Sequence, residues 1–184
     1  MTGPVAGDGV SIRFRGGGDM AGCVALLRRV HERDDYPLLW PADPAAWLSG
    51  SRQVAAWVAD DGGAIRGHVA LARAGAGPAA AAWAGALRAA AADVLCVSLL
   101  FVDPRQRGLG TGGALLAAAL AGARARNAPA ALEVISVNRD AVALYRAGGW
   151  RQVGEVSYDW LPDGARSLLF VPPGPLAADR QRSR

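Results

Sequence analysis

The sequence contains no lysine, and all 20 of its basic residues are arginine. The arginines are scattered, and no basic run is interleaved with aromatic residues, so the net charge of +4 does not indicate a nucleic-acid-binding surface. The densest group, Arg180, Arg182 and Arg184, stands at the C-terminal end. We therefore predict no nucleic-acid partner, whereas a ligand that carries phosphates would suit a chain rich in arginine.

Cysteine and long apolar runs are also scarce. The two cysteines, Cys23 and Cys96, stand in apolar surroundings without a C-x-x-C or histidine-rich context, so we expect reduced thiols and no metal site. No run approaches the roughly 20 apolar residues that span a bilayer. The N-terminus has glycine, proline and aspartate where a signal peptide has a basic start and an apolar run. These absences predict a cytoplasmic protein with no membrane partner.

What the sequence does contain is a regular alternation of strand and helix patterns. A chain of 184 residues suits one domain with a hydrophobic core. We expect a flexible N-terminus over 1–10, an α/β domain over 11–171 and a disordered basic tail over 172–184. Strands are predicted at 11–15, 54–59, 65–72, 94–102, 132–137, 150–160 and 167–171, and helices at 20–30, 44–49, 111–126 and 139–147.

The sequence supports more specific predictions for three segments. The strand 94–102 is nearly all apolar, which is typical of a central strand buried on both faces. Residues 31–41 are expected to form a loop. Residues 75–92 are alanine-rich and fit either an inserted helix or an irregular excursion.

A glycine-rich turn joins the strand 94–102 to the helix that follows. Glycines at 108, 110, 112 and 113 allow backbone N–H groups to converge, and the helix adds its unpaired first-turn donors and positive dipole end. Arg107 adds a full positive charge. The pattern predicts a pyrophosphate site, although glycines before a helix are also ordinary turn chemistry.

The same glycines satisfy G-x-G-x-x-G, the dinucleotide-binding pattern. That pattern needs its first glycine directly after a strand and an acidic residue about 20 positions later. Here five residues separate the strand from Gly108, and the later zone holds Arg124, Arg126 and Asn127. A nicotinamide or flavin site is therefore the weaker interpretation.

Two motifs together resemble the GNAT superfamily of N-acetyltransferases. Arg107, Gly110 and Gly112 fill its acetyl-CoA-binding pattern R/Q-x-x-G-x-G/A, after a strand that ends in LFVDP. Asn138 to Trp150 is similar to its second signature, N-x-x-A-x-x-L-Y-x-x-x-G-F, with tryptophan for phenylalanine. The resemblance covers roughly residues 11–171. It implies an α/β fold with a twisted mixed β-sheet flanked by helices, in which a splayed central strand pair holds the cofactor.

The resemblance implies acetyl-CoA as cosubstrate, bound largely by the backbone. Leu100, Phe101 and Val102 would contact the pantetheine arm, and a main-chain N–H of this strand would stabilise the tetrahedral oxyanion. The pyrophosphate would be held by the turn, namely by Arg107, Gly108, Leu109, Gly110, Thr111, Gly112 and Gly113.

Asn138 and Tyr145 are the two further residues to which the resemblance gives a role. They are seven positions apart and so lie on one face of a helix. Asn138 would contact the pantetheine, and Tyr145 would bind the cofactor and act as the catalytic acid for the departing thiolate. Each also has an ordinary interpretation, because asparagine is a good helix N-cap and a tyrosine fits a core.

A general base is not evident. Members of the family with an obvious base often carry a glutamate on the central strand, where this chain has Cys96. Asp93, His68, Asp35 and His31 remain as candidates, and an amine that arrives neutral, or loses its proton through water, needs none of them.

The acceptor is equally open. In the family, residues after the first helix set acceptor specificity, and the acidic and aromatic residues of 31–40 would attract a cationic amine. The segment is explained as well by a solvated acidic turn followed by Leu39, Trp40 and Trp47 in the core. We expect direct acetyl transfer to a primary amine of a small molecule or peptide, with a catalytically idle acyl-CoA-binding module as the alternative. Homodimers are frequent in the family, but no interface is located by the sequence.

Overall fold

The computed structural model describes residues 9–173. The predicted flexible N-terminus and basic tail fall almost entirely outside these residues and stay predictions. No helix within the described range is long and apolar enough to cross a membrane. In chain order the helices and strands are β1 (Ser11–Phe14), α1 (Met20–Asp34), α2 (Pro44–Leu48), β2 (Gln53–Asp61), β3 (Ala64–Arg73), α3 (Pro78–Leu87), β4 (Leu95–Val102), α4 (Thr111–Arg124), β5 (Ala130–Ile135), α5 (Arg139–Ala147), β6 (Arg151–Val156) and β7 (Ser167–Val171).

The predicted order of strands and helices is confirmed, and the open segment 75–92 contains the helix α3. The loop predicted from residue 31 is wrong at its start, because α1 continues to Asp34. The last residues of α1 are polar and mostly exposed, so no apolar periodicity marks them as helical. The helix ends where Asp35 adopts a left-handed φ of 52° and its N–H bonds to the carbonyl of His31.

The strand β4 is less buried than its apolar sequence predicts. Leu95, Val97 and Phe101 are buried, whereas the residues between them are half-buried. The expectation of burial on both faces is therefore wrong for about half of the strand.

The chain divides into two compact units. The first comprises the residues up to Arg73 together with Leu95–Ala128. Its strands lie in the order β1-β2-β3-β4, and each neighbouring pair is antiparallel. The turn Gly62–Gly63 joins β2 to β3 in a hairpin.

A hydrophobic cluster covers one face of this first sheet. Helix α1 contributes side chains at positions i, i+3, i+4 and i+7, which form one stripe along a helix. The buried members of the cluster are Cys23, Leu26, Leu27, Val30, Leu48, Val58, Ile65 and Phe101. Because Phe101 belongs to β4, the cluster fixes the strand that leads into the glycine-rich turn.

Helix α4 packs against Trp57, the residue that precedes Val58 in β2. Successive strand residues point to opposite faces, so α4 covers the face that α1 leaves open. Gly122 of α4 lies so close to the Trp57 ring that an added Cβ would overlap it. This close approach fixes the position of α4 and of the turn at its N-terminus.

The second unit comprises Ala74–Val94 and the residues from Pro129 onward. Its strands lie in the antiparallel order β5-β7-β6, and all five residues of the central strand β7 are buried. Helix α3 packs against β6 and β7. Tyr145 of α5 contacts Trp150 and Phe170, with ring centroids 5.8 and 6.2 Å apart respectively.

Candidate active site

The turn between β4 and α4 has an open, glycine-rich geometry. Gly108 and Gly110 have φ values of +77° and +82°, in the left-handed region that side chains disfavour. Gly110 is the N-cap residue of α4, and it has no side chain with which to cap the amides of Thr111, Gly112 and Gly113. A Cβ added to Gly108, Gly110 or Gly113 would meet nothing within 4 Å. No side chain of these three glycines fills the space around the turn, and a helix N-terminus with such a turn suits a phosphate group.

Asp103 anchors the strand end that enters this turn. Its carboxylate is buried, accepts a hydrogen bond from the Arg105 N–H at 3.0 Å, and lies 3.4 and 3.5 Å from Arg29 and Arg66. Its own N–H donates to the Arg66 carbonyl at 2.7 Å. Two guanidinium groups thus compensate one buried charge. The sequence showed Asp103 only as part of LFVDP, and its structural role could have been inferred from an aspartate that directly follows a buried strand.

Arg107 is not a solitary positive charge at the rim of the turn. Its guanidinium forms a bidentate ion pair with Asp34, the last residue of α1, with a 3.2 Å bond between Nη1 and Oδ1 and a second bond from Nη2 to Oδ2. Both side chains are partly exposed, so the pair contributes at most about 1 kcal/mol. A phosphate can therefore compete with Asp34 for this guanidinium.

The backbone of β4 contains a bulge at Leu99. Between the pairs Ala70–Ser98 and His68–Phe101, β3 contributes one residue and β4 contributes two. Leu99 has a φ of 53°, although a leucine disfavours this left-handed conformation. The predicted pantetheine-binding residues Leu100, Phe101 and Val102 follow directly.

His68 is fully buried beside this bulge and has both ring nitrogens engaged. Nδ1 lies 2.9 Å from the Leu99 carbonyl oxygen, and Nε2 lies 3.0 Å from Arg15 Nη1. Burial lowers the pKa of His68 to about 4, an effect opposed by the Leu99 bond and reinforced by the Arg15 charge. His68 is therefore neutral at physiological pH, with no ring nitrogen left to accept a proton from an amine.

The other candidate bases are either exposed or bonded to neighbouring residues. Asp35 and Asp93 are exposed. His31 bonds through Nδ1 to the Pro37 carbonyl at 2.9 Å, and its ring contacts Trp40. Strand β4 itself has no acidic residue, and the thiol of Cys96 donates to the neighbouring Val97 carbonyl.

In the second unit, Asn138 and Tyr145 occupy the ends of α5. The Asn138 side-chain oxygen accepts a bond from the Ala141 N–H at 3.4 Å, so the predicted N-cap is confirmed. Tyr145 is buried among aromatic rings and shares the inner face of α5 with Val142. Their roles toward a ligand stay predictions.

Residues 31–40, called the acceptor-side segment after the role predicted for them, combine exposed polar residues with aromatic side chains that contact their neighbours. Tyr36 lies against Trp47 and Phe101, and Trp40 contacts the His31 ring and the Arg28 guanidinium, which lies 5.0 Å from its centroid. Trp40 and Trp47 also pack against the hydrophobic cluster beneath α1, so their predicted core packing is confirmed. For Leu39 it is wrong, because that side chain is 72% exposed.

A family model described as the Acetyltransferase (GNAT) family matches residues 19–149, which is more than half of the chain. The chain belongs to the GNAT family of acetyltransferases. The matched range includes the glycine-rich turn and the helix α5 that carries the second motif. None of the curated proteins with which the sequence was compared is a match.

Solved structures described as acetyltransferases share the fold at low identity. An N-acetyltransferase from Staphylococcus aureus Mu50 is 15% identical with a TM-score of 0.68, over 89% of this chain and 97% of that one. The ribosomal-protein-S18-alanine N-acetyltransferase of Escherichia coli is 18% identical with a TM-score of 0.63, over 89% and 93%. The yncA protein of Salmonella typhimurium, described with its cofactor acetyl-CoA, is 17% identical with a TM-score of 0.62, over 89% and 92%. These likenesses confirm the predicted GNAT-like α/β fold.

Proposed function

We propose that this GNAT protein is an acetyl-CoA-dependent N-acetyltransferase that acetylates a primary amine of a small molecule or peptide by direct attack. The observation that carries the proposal is the open turn at Gly108 and Gly110, ahead of α4 and within the range matched by the family. Acetyl-CoA would supply the activated acetyl group, and the chain would supply binding, orientation and a proton.

The binding part of the proposal relies on backbone groups. The amides from Leu109 to Gly113 would hold the pyrophosphate, aided by the positive end of the α4 dipole. The Arg107 guanidinium would give up one of its hydrogen bonds to Asp34 and donate to phosphate oxygens instead. The main chain of Leu100 to Val102 would bind the pantetheine, and the Asn138 side chain would contact it as well.

The chemical part needs one proton donor and no protein base. The amine nitrogen would form a bond to the acetyl carbonyl carbon, and the carbon–sulfur bond would break. Tyr145 would donate its phenolic proton to the departing thiolate and recover one from water. The proton lost by the amine would pass to water. The absence of an acidic residue from β4 and the engaged nitrogens of His68 support this route.

The decisive assay measures release of the CoA thiol from acetyl-CoA with a panel of amines. The panel includes a peptide that begins with alanine, because the Escherichia coli relative is named for an alanine of protein S18. It also includes a polyamine, an aminoglycoside and free amino acids. We expect Tyr145→Phe to lower turnover about 100-fold while its acetyl-CoA affinity changes less than about 3-fold.

Tyr158→Phe is the matched control. Tyr158, which stacks on Trp160, is a second tyrosine to which no role in the reaction is assigned, so the loss of its hydroxyl should leave turnover and affinity at the wild-type values. Undiminished turnover by Tyr145→Phe would remove Tyr145 from the mechanism.

A second candidate function is an acyl-CoA-binding module without catalysis, which Cys96 in place of the family's frequent glutamate favours. Tight acetyl-CoA binding without CoA release across the whole panel would support the module. NADH that displaces acetyl-CoA would instead revive a dinucleotide site.

A further inference from the structure

The Leu99 carbonyl of the β4 bulge is held from the neighbouring strand by His68. The bond from Nδ1 to this oxygen is 2.9 Å long. The imidazole also stacks on Phe101, with centroids 5.1 Å apart and an angle of 22° between the rings. His68 therefore contacts β4 at the bulge residue Leu99 and again at Phe101, directly after the bulge. A leucine persists in a left-handed conformation only where its surroundings impose it.

Arg15 determines which nitrogen of His68 carries the proton. A guanidinium only donates hydrogen bonds, so Nε2, 3.0 Å from Arg15 Nη1, must be the acceptor. Nδ1 then carries the proton and donates to the Leu99 oxygen. Arg15 is itself fixed by the Leu48 carbonyl and the Gln53 side-chain oxygen, each at 2.8 Å. The donor and the acceptor are thus assigned for both hydrogen bonds of His68, the one from Arg15 and the one to Leu99.

The orientation of the Leu99 carbonyl fixes that of the next N–H. In a planar trans peptide the C=O and N–H bonds point in opposite directions. Because the Leu99 oxygen points at His68 on β3, the Leu100 N–H points away from β3. We propose that His68 is a positioning residue that aims the Leu100 N–H at the acyl oxygen of bound acetyl-CoA. This inference rests on the proposed function.

Two conservative variants each remove one of the two hydrogen bonds of His68 and keep a polar group for the other. His68→Asn retains an N–H donor near the place of Nδ1 and loses the partner of Arg15. His68→Gln retains a polar group near the place of Nε2 and has no donor near the Leu99 oxygen. Val69→Ala is the matched control, because Val69 is equally buried, belongs to the same strand and points to its opposite face.

The experiment compares acetyl-CoA with CoA, which lacks the acyl oxygen, by calorimetric titration, and follows the Leu100 amide resonance. We expect wild type and His68→Asn to prefer acetyl-CoA over CoA by about 10-fold, the worth of one hydrogen bond, with a ligand-induced shift of the Leu100 amide. His68→Gln should lose this preference and this shift while its affinity for CoA changes less than about 3-fold. Val69→Ala should unfold at a lower temperature and keep the preference.

The inference is overturned if His68→Gln retains the wild-type preference, if His68→Asn loses it to the same extent, or if Val69→Ala abolishes it. A wild type that binds acetyl-CoA and CoA equally, with no shift at Leu100, overturns the inference and leaves the proposed function standing. A folded wild type that binds neither compound overturns the proposed function itself.

Discussion

The glycine-rich turn and the acceptor-side segment are built in opposite ways. The turn, residues 107–113, contains four glycines, of which Gly108 and Gly110 are left-handed and have open space where a side chain would stand. The acceptor-side segment consists of side chains whose aromatic rings already have neighbours. Trp40 contacts His31 and Arg28, and Tyr36 contacts Phe101. A backbone turn leaves a local signal in the sequence, namely its glycine spacing, whereas side-chain contacts depend on residues that the fold brings together. The sequence therefore predicts a cofactor, and it predicts no particular acceptor.

The largest expected effect comes from a substitution in the glycine-rich turn. Gly110→Glu places a carboxylate and a disfavoured left-handed side chain where the pyrophosphate would bind, so acetyl-CoA should bind at least about 100-fold more weakly by calorimetry. Gly18→Glu makes the same charge change at an exposed glycine with no positive φ and open space around it. That control should bind within about 2-fold of wild type. Equal affinity in the two variants would remove the turn from the binding site.

A second prediction concerns His68, which stacks on Phe101 where β4 meets the acceptor-side segment. Its pKa is lowered by burial to about 4, against an ordinary value of 6.5. The unfolded chain takes up the proton first as pH falls, so this group's stabilising contribution is complete above pH 6.5. It is lost as the pH falls toward 4, by up to about 3 kcal/mol.

Urea unfolding at a series of pH values checks this titration. His68→Asn has no group that titrates there, so its free energy of unfolding should decline less than that of wild type between pH 6.5 and 4. Parallel declines in the two proteins would show that His68 is not held neutral.

A smaller effect tests whether the helix after the acceptor-side segment serves stability alone. Asp43 caps α2 by accepting a bond from the Ala46 N–H at 2.9 Å. Asp43→Ala should lower the free energy of unfolding by about 1 kcal/mol and leave acetyl-CoA affinity unchanged. Asp163→Ala, at an exposed loop position, is the control and should leave both unchanged. Weaker acetyl-CoA binding by Asp43→Ala would show that the two regions are not independent.

The smallest expected effect lies where the two regions touch, at the Arg107–Asp34 pair. Asp34→Asn removes a carboxylate that competes with phosphate, so acetyl-CoA should bind about 2-fold to 3-fold more tightly at low salt, with the gain lost at high salt. Asp35→Asn makes the same charge change one residue away, at a side chain that is exposed, and should give less than half of this gain. Tighter binding that persists at high salt would contradict a screened surface interaction.

The parts of the fold predicted from sequence are those with local signals. The bounds of α5 were predicted correctly because Asn138 caps its start and glycines follow its end. The last turn of α1 was missed because it is polar and exposed. The bulge at Leu99 has no sequence signal, since nothing in an apolar run distinguishes a left-handed leucine. The roles of His68 and Asp103 depend on Arg15, Arg29 and Arg66, which are distant in sequence.

The most direct test of the account is a titration of the wild-type protein with acetyl-CoA, followed through its backbone amide resonances. The account predicts that the amides of residues 109–113 and 100–102 shift most, and that NADH at the same concentration shifts none of them. Binding that leaves these amides unmoved, or no binding by the folded protein, would contradict it.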